Sequence, residues 1–171
     1  LRWGYTPQRP RRRALEQNPI KIEQWLNDTY PMIAARAKAE GATIYWGDET
    51  AVAEDGHWLR GHAPAGQTPI LAAPSKRYGL SMVSAISNQG LIRFEFIEEA
   101  MNTDLFIGFL ERLIADSNGK VFLILDNLKV HHARLVTAWL AERKDQIEVF
   151  YLPPYSPEIN PDGGWCINQH Y

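Results

Sequence analysis

The sequence predicts an α/β fold in which a mixed central sheet is flanked by helices. Strand-like and helix-like segments follow one another as strand, two further strands, helix, strand, helix, strand. A strand–helix–strand unit places its two strands parallel to each other through a right-handed crossover. The segment Val121–Leu125 is apolar at every position, which is typical of a strand covered on both faces.

Size and composition are those of one domain with a substantial core. The chain has 171 residues, of which 45% are hydrophobic. Cys166 is the single cysteine, which excludes an internal disulfide framework and favours a reducing cytoplasm. No apolar run approaches the roughly 20 residues that span a bilayer. Because residue 1 is Leu rather than Met, we expect the sequence to be a fragment or a processed form of a protein.

The first third of the chain predicts two helices and a strand. Asn18 and Pro19 are suited to the N-cap and first turn of a helix. Pro31 should break or kink that helix, and Gly41 should end the next one. The apolar run 43–47 contains β-branched and aromatic residues and is too short for an ordinary helix, so we interpret it as a buried strand that ends just before Asp48.

The rest of the chain alternates between strands and helices. Segments 78–87 and 91–98 are predicted to pair around a turn, and the second alternates apolar with charged residues, so one of its faces should be wet. Asn102 or Thr103 should cap a helix with an apolar stripe, stopped by Asn118 and Gly119. A further helix follows residue 126, and its apolar side is predicted to contain Leu135, Val136, Trp139 and Leu140. Segment 147–152 is the last predicted strand.

Two acidic residues follow strands that we expect to be neighbours. If the strand before Asp48 lies parallel to the strand before Asp126, both residues emerge at the same carboxyl edge of the sheet, where α/β folds bind ligands. Such a pair would bind Mg²⁺ or Mn²⁺, which prefer carboxylate and water oxygens. Glu49 should point to the opposite face and is a secondary candidate. Taken singly, an Asp after a strand is more often a turn former or a helix cap, so the metal-site hypothesis depends on the pair.

The charge is distributed unevenly. Residues 1–13 contain five arginines and no acid, whereas the formal charge of the whole chain is −2, so the remainder carries −7. Basic arms of this kind neutralise DNA phosphates. An equally open interpretation is a solvated terminus without a ligand. The arginines predicted to contact DNA are Arg9, Arg11, Arg12 and Arg13.

Several of these motifs together resemble the DDE catalytic domain of mariner-like and bacterial insertion-sequence transposases. Segments 44–49 and 122–127 are similar to the first two catalytic blocks, and 63–69 to the loop between them. The most specific match is YLPPYSPEINP at Tyr151–Pro161. The resemblance implies a ribonuclease-H-like fold, a two-metal Mg²⁺ or Mn²⁺ site with Asp48 and Asp126 as the first ligands, and DNA strand cleavage and joining. His131 also recurs in such proteins, but a lone histidine is more often a local hydrogen bonder, and we assign it no catalysis.

The third acidic residue departs from the family pattern. In the family, Asn-Pro and one variable residue precede a glutamate that opens a helix, whereas this chain has Gly163 at that position. Asp162 is adjacent and could substitute imperfectly; Glu158 is too far back in the proline-rich corner. Two glycines in succession also disfavour a helix, so residues 163–171 are expected to be irregular. A small insertion or frameshift near codon 163 would produce this ending.

The resemblance yields two main hypotheses and a domain division. Residues 1–17 would be an arm leading from a helix-turn-helix region, and 18–171 an incomplete catalytic domain. The chain would act on transposon inverted-repeat ends and target DNA, with impaired activity, or else be a silent remnant that binds DNA or dimerises. An RNA-hybrid nuclease is a third alternative. A homodimer is left open, no membrane is expected, and the location would be the bacterial cytoplasm, on the nucleoid when bound to DNA.

Overall fold

The residues that the structure describes form a five-stranded mixed sheet. The computed structural model describes residues 16–53, 79–98, 100–156 and 159–161. The strands occur in the spatial order β3-β2-β1-β4-β5. Strands β1, β2 and β3 are antiparallel neighbours, whereas β1, β4 and β5 are parallel. The predicted mixed sheet is therefore confirmed. The strands are β1 (Thr43–Ala53), β2 (Gly79–Ser87), β3 (Ile92–Ile97), β4 (Val121–Leu125) and β5 (Ile147–Tyr151).

Helices cover both faces of this sheet. One buried cluster joins α3 and α4 to side chains such as Tyr45 and Leu123, and the other joins α2 to Ile44, Trp46 and Phe122. Because alternate residues of β1 and β4 enter different clusters, β4 is buried at every position, as its sequence predicts. The helices are α1 (Pro19–Gln24), α2 (Tyr30–Glu40), α3 (Thr103–Ala115) and α4 (Arg134–Ala141), with a π-helical turn at Trp25–Thr29 and a 3₁₀ turn at Lys129–His132.

The proline at position 31 changes the helix without interrupting it. Asn18 caps α1 with its side chain, as predicted, and α2 ends at Gly41, whose φ is +64°. Between the two helices the chain forms the π-helical turn instead of a break. Pro31 has no N–H to donate and its ring crowds the carbonyl one turn earlier, so a wider turn accommodates it. Trp25, at the start of that turn, is buried and donates its indole N–H to the Tyr151 carbonyl.

The first strand is longer than the sequence indicates, which corrects the position of Asp48. β1 continues through Asp48 to Ala53, because β2 remains paired with it there, with Asp48 opposite Ser84. On its other side β1 pairs with β4 only from Thr43 to Trp46. Asp48 therefore lies within a strand, at the point where the parallel partner has ended, and not after the strand.

Two apolar surfaces differ from the expected pattern. In β3 the charged residues face α3, where Arg93 bonds to Asp116 and Glu95 to Arg112. The opposite, apolar face is the wet one, with Phe94 59% and Phe96 58% exposed. The charged face of β3 can turn towards α3 because its side chains form these ion pairs there. In α4, Leu135 is 63% exposed, so its predicted place on the apolar side is wrong, whereas Val136 is buried.

Gly47 permits the close approach of β1 and β4. A Cβ at this position would lie 2.7 Å from Leu125 Cδ2 and 3.4 Å from the Ser84 carbonyl oxygen. Leu125 is itself buried and directly precedes Asp126. A side chain at position 47 would therefore displace the buried side chain of Leu125, the residue that precedes Asp126. None of the helices in the described residues is both long enough and apolar enough to cross a bilayer.

We predict that Gly47→Ala lowers the free energy of unfolding by about 1–3 kcal/mol, the usual effect of overpacking a well-filled site. Urea denaturation measures it. Gly108→Ala is the matched control, because a Cβ there meets only the Arg112 guanidinium at 3.4 Å or beyond. As a helical Gly→Ala change it should raise stability by roughly 0.5–1 kcal/mol. Equal effects of the two changes would contradict the packing argument.

An ion-pair network should make stability depend on pH. Arg36 bonds both Glu40 and Glu148, at 3.0 Å and 2.7 Å, and joins α2 to β5. Hydrogen bonds hold the pKa of both carboxyls below the usual range, chiefly from Lys120 for Glu40 and from Arg36 for Glu148. A lowered folded-state pKa stabilises the fold above the unfolded value and loses that effect as pH falls.

Arg36→Met should therefore be less stable than the parent at pH 7. The difference should shrink as pH falls below about 4.3, the ordinary Glu pKa. Thermal unfolding between pH 3 and pH 7 measures it. Lys38→Met, an exposed change on the same helix, should show little difference at any pH. A difference for Arg36→Met that stays constant over this range would exclude the electrostatic explanation.

Candidate active site

The register of the parallel pair brings the two predicted acids together. Trp46 is paired with Ile124, and Asp48 and Asp126 each follow this pair by two residues, which corresponds to the same face of the sheet. Both strands lie in the interior of the sheet, and both acids lie at the carboxyl end of the β1–β4 pairing. This is the edge at which α/β sheets bind ligands. The prediction that β1 and β4 are parallel neighbours is confirmed.

Asp126 is held by its own loop. Its carboxylate Oδ1 accepts a bond from the Leu128 N–H at 3.2 Å, which closes a tight turn after β4. The same Oδ1 lies 3.3 Å from His131 Nδ1, and the Asp126 carbonyl oxygen lies 3.1 Å from that nitrogen. Both neighbours are acceptors, so Nδ1 carries the proton. The imidazole therefore restricts both the backbone and the side chain of Asp126.

His131 is in turn fixed by the core. Its side chain is 4% exposed, and its ring lies 4.7 Å from the ring of Phe106 in α3, measured between centroids. Its carbonyl oxygen accepts a 3.0 Å bond from the hydroxyl of Tyr151 in β5. Burial raises the pKa of that Tyr151 hydroxyl. His131 therefore connects Asp126 to a helix and to a strand, and its observed bonds are local ones.

Glu49 contributes a third negative charge near the pair. Strand alternation places it on the face opposite to Asp48. Burial raises the pKa of Glu49; the charge of His131 lowers this pKa and that of Asp126 raises it further. Glu49 is therefore within electrostatic range of Asp126. A site that crowds carboxylates in this way is suited to a cation.

Two asparagines that sequence reasoning did not select connect the segments around the acids. Asn160 is 4% exposed, and its Nδ2 donates to the carbonyl of Gly47 at 3.0 Å. Asn127 Nδ2 donates to the Leu152 carbonyl. Both bonds join residues distant in sequence, so no local pattern could have predicted them. The only sequence signal that the two asparagines share is their position, since each lies next to a candidate acid or within the motif that contains one.

Several predicted site residues lie outside the described residues. Among the residues that the structure does describe, no group of three or more acidic, histidine or cysteine side chains is placed to hold a metal ion. The Asp48 and Asp126 pair would therefore need further ligands. The predictions that fall outside are those for Asp162, Gly163, Glu158, the 163–171 ending, and the arginines Arg9, Arg11, Arg12 and Arg13.

Comparison with known proteins identifies the family. A family model described as "DDE superfamily endonuclease" matches residues 43–167, which is most of the chain. The chain belongs to the DDE superfamily endonucleases. This match spans both acid-bearing strands and the Pro-rich segment, so it confirms the resemblance to DDE transposase catalytic domains. A second model, described as "Winged helix-turn helix", matches residues 1–29. A comparison with curated proteins found no match.

Solved structures of Mos1 share the fold of this DDE domain. The Mos1 transposase paired-end complex with left transposon end has a TM-score of 0.64 at 20% identity, covering 98% of this chain and 53% of that one. The Mos1 mariner paired end complex with Mn gives 0.63 at 21%, covering 99% and 54%. The catalytic domain of Mos1 mariner transposase gives 0.56 at 20%, covering 90% and 71%. The predicted ribonuclease-H-like fold is confirmed, and the chain spans about half of the full Mos1 chains.

We predict that His131→Phe lowers the free energy of unfolding by about 1–3 kcal/mol. Phenylalanine preserves the ring packing on Phe106 but removes the donor to the Asp126 oxygens. Urea denaturation at pH 7 measures the loss. His132→Phe is the neighbouring control: that side chain is exposed and contacts Asn127 and the Tyr151 ring. Its change should stay within about 0.5 kcal/mol. A comparable loss of unfolding free energy in His132→Phe would show that the hydrogen bonds between His131 and Asp126 contribute little to stability.

Proposed function

We propose that this chain is the catalytic domain of a metal-dependent DNA transposase, which cleaves and joins DNA strands at transposon ends. The observation that supports it most is the parallel register of β1 with β4, since Asp48 and Asp126 each follow the paired residues Trp46 and Ile124 by two positions at the carboxyl edge of this pairing. Family membership supports the endonuclease class. The domain division proposed here is an arm at 1–17 and a catalytic domain at 18–171.

Asp48 and Asp126 would hold Mg²⁺ or Mn²⁺. The donor set fits these ions, because Mg²⁺ is usually bound by one or two carboxylates together with waters and substrate phosphates. The nearby charge of Glu49 adds to the attraction. When bound, a pair of such ions activates a water or a 3′-hydroxyl and stabilises the leaving oxygen of a phosphodiester. Complexes of Mos1 with Mn and with Mg, which share this fold, support the choice of metal.

The protein's own groups supply the positioning. His131 donates to Asp126 and keeps its carboxylate in one orientation, and the buried ring contact with Phe106 keeps the imidazole from turning away. β4, buried at every position, gives Asp126 a rigid base. Side chains locked by packing and by hydrogen bonds hold reacting groups more accurately than loop residues do.

The third acidic ligand is the weak point of the proposed site. By resemblance it belongs at position 163, where this chain has Gly163, and glycine offers no ligand. Asp162 is the substitute that we propose, with reduced activity as the consequence. The same glycine supports a second candidate function, that of a catalytically silent remnant with a DNA-binding or dimerising role.

DNA is the proposed partner, through transposon ends and target DNA. The winged helix-turn-helix match over residues 1–29 supports DNA recognition at that end of the chain. The solved Mos1 complex is described with a left transposon end. The arginines proposed to contact phosphates are Arg9, Arg11, Arg12 and Arg13. We also propose that the protein forms a homodimer. Its proposed location is the cytoplasm of a bacterium, in association with the nucleoid.

Mn²⁺ binding should depend on the acid pair. Asp48→Asn and Asp126→Asn should each weaken binding in isothermal titration by on the order of 10–100-fold or more, because removing even an outer partner of a metal ligand has effects of that size. Nicking of supercoiled DNA carrying transposon ends, weak in the parent, should fall to background. Asp145→Asn, an exposed change in the turn before β5, is the control and should bind normally. Unchanged binding in both site variants would refute the proposed metal site.

Gly163→Glu should strengthen the site. A third carboxylate adds charge, and metal affinity at carboxylate sites rises over decades with ligand charge. We expect Mn²⁺ affinity to rise on the order of tenfold and nicking to rise with it. Gly164→Glu adds the same charge one residue later and should have little effect. If the parent chain cleaves strongly and Asp162→Ala abolishes that cleavage, Asp162 serves fully as the third ligand, and both the reduced activity proposed here and the assignment of the third position to Gly163 are wrong.

A further inference from the structure

The outer edge of β3 presents backbone groups that point away from the sheet. Among the described strands β3 is the last in the spatial order, with β2 as its neighbour. Where these two strands leave their turn, the Ser87 N–H donates to the Leu91 carbonyl at 2.8 Å. Hydrogen-bonded pairs alternate with non-bonded pairs along an antiparallel ladder. In the register of β2 with β3, the N–H and C=O groups of Arg93 and Glu95 therefore face β2, and those of the residue between them face outward.

The residues whose backbone faces outward also carry the exposed apolar side chains of β3. They are Ile92, Phe94 and Phe96, with side chains that lie on one face of the strand, and we call them the apolar row. Each of the three is at least half exposed. A strand edge that offers both hydrogen-bonding groups and an apolar surface is a template for a further strand.

The other face of β3 carries one basic and one acidic side chain. Arg93 Nε donates to Asp116 Oδ2 at 3.0 Å, and Arg112 Nε donates to Glu95 Oε2 at 3.1 Å. Both β3 side chains remain 35% exposed in these pairs with α3. Each of them can therefore accept a second partner of opposite charge from the open side of the strand.

These charges select one register for the pairing of β3 with β3 of a second copy. Two copies related by a two-fold axis pair antiparallel, and outward-facing residues must lie opposite each other to exchange hydrogen bonds. A ladder centred on residue 94 places Arg93 of each copy opposite Glu95 of the other, and the ion pairs of both copies join into one row of alternating charges. Ladders centred on residue 93 or 95 place like charges opposite each other, which destabilises a sheet.

We propose that β3 is a dimerisation strand, which pairs edge to edge with β3 of a second copy of this chain in the register centred on Phe94. Ile92 of each copy then lies opposite Phe96 of the other, and the two Phe94 residues lie opposite each other, so the whole apolar row forms cross-strand pairs. This inference rests on the homodimer proposed above, to which it assigns a surface.

Charge reversal tests the register. Sedimentation equilibrium of the full chain, without DNA or metal, gives the dissociation constant of the dimer. Arg93→Glu and Glu95→Arg each place like charges opposite each other, so each variant alone should dimerise on the order of tenfold more weakly. An equimolar mixture of the two variants restores opposite charges in both cross-strand pairs and should form a mixed dimer about as tight as that of the parent. Lys38→Glu, an exposed reversal on α2, is the control and should dimerise as the parent does.

Cysteine cross-linking tests the position of the two-fold axis. In a Cys166→Ser background, Phe94→Cys places two thiols on the axis, with Cα atoms about 5.5 Å apart, which a disulfide can span. Mild oxidation should therefore give a covalent dimer. Ile92→Cys is the matched control, because its two copies lie four residues apart along the ladder, about 13 Å, and should not be linked.

The outcomes separate this surface from the other proposals. Circular dichroism establishes that each variant is folded, and Arg93→Asp and Glu95→Lys serve if either reversal is not. A parent chain that stays monomeric at every concentration would overturn the inference together with the homodimer. A parent dimer that neither reversal weakens, or in which Ile92→Cys is linked as readily as Phe94→Cys, would overturn the β3 surface alone. Mn²⁺ binding should be unchanged in all variants, because β2 lies between β3 and β1.

Discussion

The site depends on one interaction, the parallel pairing of β1 with β4. It joins segments that lie far apart in the sequence, and its register decides which side chains share a face. Side chains alternate along a strand, so a slip of one residue would move Asp48 to the face of Glu49 and separate it from Asp126. The register is protected by burial on both faces of β4 and by Gly47, whose missing side chain leaves room for Leu125. The packing of β1 against β4 therefore determines which acidic side chains share a face of the sheet.

Further contacts around this pairing connect the ends of the strands to the core and to the Pro-rich segment Tyr151–Pro161. His131 connects Asp126 to α3 and β5, while Asn127 and Asn160 attach the Pro-rich segment at both of its ends. All of these groups belong to turns and loops, yet their hydrogen-bond partners lie in strands or next to strand ends, and His131 also packs on Phe106 of α3. These bonds attach irregular backbone to the sheet, as a site that requires fixed carboxylate positions needs.

Much of the fold could be predicted from the sequence, and less of the site. The buried strand β4, the Asn18 and Asn102 caps and the end of α2 at Gly41 all follow from local chemistry, and the structure has them. The length of β1 could not be predicted, because its polar residues resemble a turn and only pairing with β2 keeps them in a strand. The exposed apolar face of β3 and the bond between Asn160 and Gly47 are likewise tertiary. A single sequence does not contain the partner that decides them.

The apolar face of β3 has a practical consequence for handling the protein. Among the strands of the described residues β3 lies at the edge of the sheet, and its exposed Phe94 and Phe96 rings lie 5.6 Å apart as one hydrophobic surface. Open strand edges with such surfaces favour self-association, so colloidal solubility, and not folding, should limit the working concentration of a purified sample. Lysine at either position would improve it. Because β3 is separated from β1 by a whole strand, a more soluble version of the protein can be made without touching the acid pair.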